Sequence, residues 1–101
     1  GNPDLLKLSV KVVGKERGLT VEIRKKESIE ALKAAVAKAW QSKWGEREGA
    51  DLVAQAARIR LIYAGRMLED GKTVAESGVG AEAILHMVLP AKEVSDEDED
   101  E

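Results

Sequence analysis

Apolar and polar residues alternate from the start of the chain. Across residues 5–13, Leu6, Leu8, Val10 and Val12 share one parity, and Lys7, Ser9 and Lys11 hold the other. A period of two predicts a half-buried strand. A second alternation, Leu19, Val21 and Ile23 against Thr20, Glu22 and Arg24, follows the stretch Gly14-Lys15-Glu16-Arg17-Gly18. Two such strands around a short glycine-bounded turn predict an antiparallel hairpin. The period then changes. Ser28 is a suitable N-cap, because its hydroxyl can accept a free backbone N–H. Beyond it Ile29, Leu32, Val36 and Trp40 fall at helical spacing, and Glu30, Lys33 and Lys38 are assigned to the opposite, polar face. Gly45 is the expected stop. Trp44 lies one turn beyond Trp40 and is expected to cover the end of the core with it. A ligand-stacking pair would need a cluster of polar groups, and the sequence supplies none beside them.

The pattern weakens over residues 45–58, where a long, partly ordered connection is expected, with a short helix over 51–57 capped by Asp51. Residues 59–63 read as a third strand. Ala64-Gly65-Arg66 turns the chain, and Met67-Leu68 forms a brief fourth strand. Gly71 marks another turn. Residues 73–82 read as loop with one helical turn before Gly78, and 84–89 as the last strand, closed by Pro90. The order strand, strand, helix, strand, short strand, strand predicts an α+β fold. One main helix lies on one face of a mixed sheet of four to five strands.

Parity then divides the later strands. Leu61 and Tyr63 oppose Arg60 and Ile62, while Leu85, Met87 and Leu89 oppose Ile84, His86 and Val88. The purely apolar sets belong against the helix. Ile62, Val88 and Ile84 are therefore expected to look outward beside Arg60 and His86, since one helix covers one face. Exposed apolar residues rimmed by polar ones mark interaction surfaces. His86 is expected as a polar group at that rim. A catalytic histidine needs a nucleophile or carboxylate partner, and none adjoins it in sequence.

Composition narrows the function. The 101 residues make one domain, with no Phe and only Trp40, Trp44 and Tyr63 as aromatics, so the core is aliphatic. The absence of cysteine excludes disulfide scaffolds, thiol catalysis and cysteine zinc sites. A single histidine excludes a His-dominated metal site. No apolar run approaches the roughly 18 residues of a membrane span, and the first residues lack a signal-peptide layout. The net charge of −3 hides an uneven distribution, because residues 96–101 are six consecutive acids. Without them 13 acids face 16 bases, a balance of +3. Residues 91–101 are expected to be a disordered acidic tail, solubilising in its bland reading and an arm folding back onto the basic body in the sharper one. A body of +3 with such a tail does not suit nucleic acid. No phosphate-cradling glycine loop and no His–carboxylate pair is present, so neither an enzyme nor a cofactor is expected.

The run Arg60-Leu61-Ile62-Tyr63-Ala64-Gly65-Arg66-Met67-Leu68-Glu69-Asp70-Gly71-Lys72-Thr73-Val74, followed by Leu85-His86-Met87-Val88-Leu89, resembles the ubiquitin family. Ser28-Ile29-Glu30-Ala31-Leu32-Lys33 is similar to the start of that family's helix. The resemblance implies a β-grasp domain over residues 5–90. It also implies that Ile62 and Val88 match the family's hydrophobic recognition patch, and His86 the histidine beside it. The third patch residue falls in the first turn, where Val13 and Gly14 are both open. Arg60, Arg66 and Ile84 complete the expected contact set. The implied partners are proteins with ubiquitin-binding helices, the proteasome or an AAA-type chaperone, met by a monomer in the cytoplasm, the nucleus or at the membrane periphery.

Departures from the family shape the rest. Leu89 is followed by Pro90-Ala91-Lys92-Glu93 and not by the glycine pair that conjugation uses. Arg66 and Ala81 stand where the family has chain-forming lysines. A module that binds and is not attached is therefore expected. The Trp-bearing connection from Trp40 to Arg58 resembles membrane-anchored ubiquitin-fold proteins. This gives the alternative of a protein that recruits ubiquitin-conjugating enzymes, with membrane contact only if a lipidated C-terminus was removed. A processed ubiquitin-like modifier is the remaining alternative.

Overall fold

The first two alternating segments pair as one antiparallel ladder. Strand β1 (Leu5–Val12) and strand β2 (Gly18–Arg24) set Leu6 opposite Ile23, Leu8 opposite Val21 and Val10 opposite Leu19. All six are buried, so the parity read from sequence is the parity of the core. In the computed structural model, which describes residues 4–14, 16–44 and 52–90, the hairpin closes through an Arg17 carbonyl bound by the Val12 N–H at 3.1 Å. Gly18 is required there by close approach, since a Cβ would stand 2.8 Å from the Val10 carbonyl oxygen.

Helix α1 (Ile29–Trp44) begins as expected: the Ala31 N–H donates to the Ser28 hydroxyl at 3.0 Å. Its stripe of Ile29, Leu32, Val36, Ala37 and Trp40 is buried against the sheet. Lys33 corrects the assignment of that residue to the polar face. Its side chain is buried, and Nζ lies 2.7 Å from Asp70 Oδ1. The cause is the loop after β4, which folds over the first turns of the helix. There the Ile29 N–H donates to the Lys72 carbonyl at 2.8 Å. Lys33 thus loses solvent and gains a carboxylate.

The helix reaches Trp44, whose ring centroid lies 5.7 Å from that of Trp40. Trp40 is in the core. Trp44 is half-buried beneath the Arg17 guanidinium at 4.8 Å and the Lys43 ammonium at 5.2 Å, both positioned for cation–π attraction. The expected stop at Gly45 and the cap at Asp51 lie outside the described residues. Over 52–58 the chain makes a turn and a 3-10 helix (Ala56–Arg58) whose N-cap, Gln55, makes no side-chain cap bond. Leu52 is buried, and the neighbouring Val53 N–H donates to Gln41 Oε1 at 2.8 Å, which ties the connection to the helix.

Strand β3 (Arg60–Tyr63) starts one residue later than expected, and the buried Ile59 precedes it. A two-residue turn leads to strand β4 (Arg66–Met67). Ala64 and Gly65 have φ of 55° and 80°, the positive values a type I′ hairpin turn demands. Residues 73–78 then form the single helical turn. Thr73 and Glu76 make a reciprocal capping box: the Glu76 N–H donates to Thr73 Oγ1 and the Thr73 N–H to Glu76 Oε1, each at 3.0 Å. Strand β5 (Ile84–Val88) completes the sheet.

The strand order is β2-β1-β5-β3-β4, with β1 and β5 parallel and the other neighbours antiparallel. A parallel pair needs a crossover, and α1 lies within it. This is the mixed sheet grasping one helix that the sequence implied. Leu61, Leu85 and Met87 are fully buried on the helix side, with Tyr63 and Leu89 partly buried against the same core. Among the described residues, no helix is long and apolar enough to cross a membrane. The acidic tail, residues 91–101, lies outside the described residues.

Candidate functional site

Strand register decides which side chains share the outer face, because directly opposed residues point the same way. β3 and β5 pair Arg60 with Val88 and Ile62 with His86. Ile62 and Val88 therefore lie on one diagonal of a four-residue square, and Arg60 and His86 on the other. Diagonal neighbours sit roughly 7–8 Å apart, within side-chain reach. The two aliphatic residues are half-buried by this packing rather than bare, while Arg60 and His86 are exposed.

Two further apolar residues widen the diagonal. Met67 of β4 pairs directly with Ile62 and is 59% exposed. Val13 follows the Val12–Met87 pair, its N–H donates to the Met87 carbonyl at 3.0 Å, and it is 54% exposed beside Val88. Val13, and not Gly14 with its positive φ of 83°, supplies the apolar side chain at the first turn. The sequence left that choice open. It gave no hint of Met67, because a two-residue strand has no alternation to read.

The remaining expected residues divide. Ile84 is 48% exposed but pairs with Ser9, at the far end of β5 from Val88. Arg66 pairs with Tyr63, one step off the Ile62–Met67 pair, so ladder parity sets it with Tyr63 and not with the apolar diagonal. No described element covers the outer face: Lys7, Lys11, Arg60, Met67, Ile84 and His86 are all exposed.

Charge is uneven on this face. Lys7, Lys11 and Arg24 share it with Arg60, and Glu22, opposite Lys7, is the acid that β1 and β2 add to it. Lys11 stands beside His86. The apolar diagonal is thus flanked by Lys11 on one side and Arg60 on the other. Beside it a groove of about 700 Å³ runs from Arg60, Met67 and Val88 past Arg58 to Asp70 and Pro90. Such a surface can bury a short apolar stripe and neutralise carboxylates at its edges. Among the described residues, no three His, Cys, Asp or Glu side chains group to hold a metal ion.

Comparison with known proteins agrees with the fold. A designed protein based on ubiquitin matches the fold with a TM-score of 0.59 and 24% sequence identity, over 90% of this chain and 95% of that one. The sequence model of the ubiquitin family matches residues 8–92, which span all five strands except the start of β1, the helix, and every residue of the apolar diagonal. The chain belongs to the ubiquitin family.

Proposed function

We propose that the chain is a non-catalytic docking module that receives an acidic amphipathic helix of a partner protein on the outer face of its sheet. The observation that supports this best is the Ile62–Val88 diagonal, which no described element covers, widened by Met67 and Val13 and flanked by Lys11 and Arg60. A helix offers an apolar stripe about one side chain wide with charged residues on either flank. Laid on this face, its stripe meets the diagonal and its carboxylates meet the lysine and arginine. Opposite charge steers the encounter and rejects basic partners. The apolar area is small, so affinity on the order of micromolar or weaker is expected.

Family membership supports a setting in the ubiquitin machinery, with the proteasome or an AAA-type chaperone as carriers of such helices and the cytoplasm as the compartment. The module works unattached in this reading. Between Leu89 and Glu101 the sequence has no glycine pair, and Arg66 and Ala81 cannot form isopeptide bonds.

A synthetic helical peptide with a Leu/Ala stripe flanked by glutamates tests the docking. Titrated into the labelled chain, it is expected to shift the amide resonances of Ile62, Met67, His86 and Val88. Ile62→Ala is expected to weaken binding about tenfold, as loss of a central interface residue does. Shifts confined to α1, or none at all, would overturn the proposal.

A further inference from the structure

The chain has two methionines, and they lie on opposite faces of the sheet. Met87, on β5, pairs with Leu61, shares its face and is fully buried. Met67, on β4, pairs with Ile62 and is the most exposed large apolar side chain among the described residues. β4 is an edge strand of two residues, so among the described residues no further strand lies beyond it to shield the thioether. The chain carries no cysteine, and a peroxide therefore meets no thiolate on it first.

We infer that Met67 is a reversible oxidation site whose conversion to the sulfoxide by a hydroperoxide switches off docking. The inference rests on the docking reading above. The sulfur lone pair attacks the distal peroxide oxygen, the O–O bond breaks, and an S–O bond forms. The proton passes to the departing oxygen, which leaves as alcohol or water. Sulfur is oxidised by two electrons and the peroxide is reduced by two. A dithiol reductase reverses the step: the oxygen leaves as water and the two thiols close to a disulfide.

The consequence follows from where the sulfoxide sits. Beside Ile62 it places a strong, oriented acceptor at the β4 edge of a surface that must become dry on binding. An apolar helix stripe offers that oxygen no donor, so its desolvation opposes docking. The surrounding fold is not involved, because Met67 takes no part in the core and Met87 is out of reach.

The test treats the full chain with hydrogen peroxide and locates the added oxygen by mass spectrometry. The tryptic peptide that starts at Met67 is expected to gain one oxygen while the peptide containing Met87 stays unchanged. The oxidised chain is expected to keep the amide spectrum of the folded protein and to bind the glutamate-flanked helical peptide about tenfold more weakly. Methionine sulfoxide reductases of both stereospecificities, with dithiothreitol, are expected to restore binding. Met67→Leu is expected to ignore peroxide, its affinity for the peptide, whatever its starting value, being the same before and after treatment. Oxidation of Met87 first, unfolding on oxidation, or unchanged binding by the oxidised chain would overturn the inference while leaving docking intact. An untreated chain that fails to bind the peptide overturns both.

Discussion

Ala64 and Gly65 occupy the same kind of backbone well, yet only one of them does so cheaply. Both have positive φ, and the left-handed region costs an L-residue roughly 1–2 kcal/mol. Gly65 avoids that cost and Ala64 bears it, with its side chain exposed and the turn otherwise open. Asparagine tolerates this conformation, and Asn-Gly is the preferred pair for a type I′ turn. Ala64→Asn is therefore expected to raise stability by about 0.5–1 kcal/mol, read as an upward shift in the urea midpoint. Gly65→Ala is expected to lower it by about 1 kcal/mol through strain alone, since a Cβ there meets no atom within 4 Å. Equal stability in the two variants would mean that the turn does not hold these dihedrals. Ile62 shows the same dependence on local surroundings. Half-buried between Met67 and His86, it is expected to cost about 1 kcal/mol on truncation, more than a fully exposed residue would.

Lys33 and the segment 73–78 show what an element inherits from outside its own sequence. The helical stripe of Ile29, Leu32, Val36 and Trp40 was legible because each repeats at helical spacing. The burial of Lys33 was not, because it depends on Asp70, which a separate loop brings to within 2.7 Å. The capping box was written in the sequence as Thr73 and Glu76 three residues apart, but one turn of helix carries no periodicity to draw attention to it. Losing the exposed partner of this ion pair is worse than losing the buried one. Asp70→Ala strands an ammonium whose side chain is 9% exposed, although Asp70 itself is 46% exposed and its share of the attraction is screened. A loss of about 1–3 kcal/mol is expected. Lys33→Met keeps the packed stem and removes the charge that needs a partner, and is expected to change stability by less than about 1 kcal/mol. Urea denaturation of the two variants decides the matter, and a larger loss for Lys33→Met would show that the pair stabilises the fold outright. Thr73→Ala is expected to cost about 1 kcal/mol by the same measurement.

At the scale of the whole molecule, a helix closes one face of the sheet and no described element covers the other, and the two faces should respond differently to the same kind of change. The division was readable early, because Leu61, Leu85 and Met87 alternate with Arg60, Ile62, His86 and Val88 in strands that could bury only one parity. Its full extent was readable only in part: Val13 was one of two candidates and Met67 was none, because both join the open face through register with neighbouring strands, and register is a property of the assembled sheet. Leu85→Ala empties a fully buried position and is expected to cost about 2–5 kcal/mol in denaturant unfolding. Ile62→Ala is expected to cost far less stability yet more peptide binding, so the ranking of the two variants inverts between the assays. The open face also carries the electrostatic part of the argument. Lys11 and Arg60 flank the apolar diagonal, and attraction between exposed charges falls as salt shortens the screening length from about 10 Å at 0.1 M to about 3 Å at 1 M. Association with the glutamate-flanked peptide is therefore expected to slow as salt rises, with dissociation little changed, because steering acts on encounter and burial acts on residence. The charge-reversed pair Lys11→Glu and Arg60→Glu is expected to abolish that salt dependence or invert it, while the urea midpoint stays close to the parent's because both side chains are exposed. A salt-independent association rate in the parent would mean that the partner helix is held by its apolar stripe alone, and that the lysine and arginine beside the diagonal have no part in choosing it.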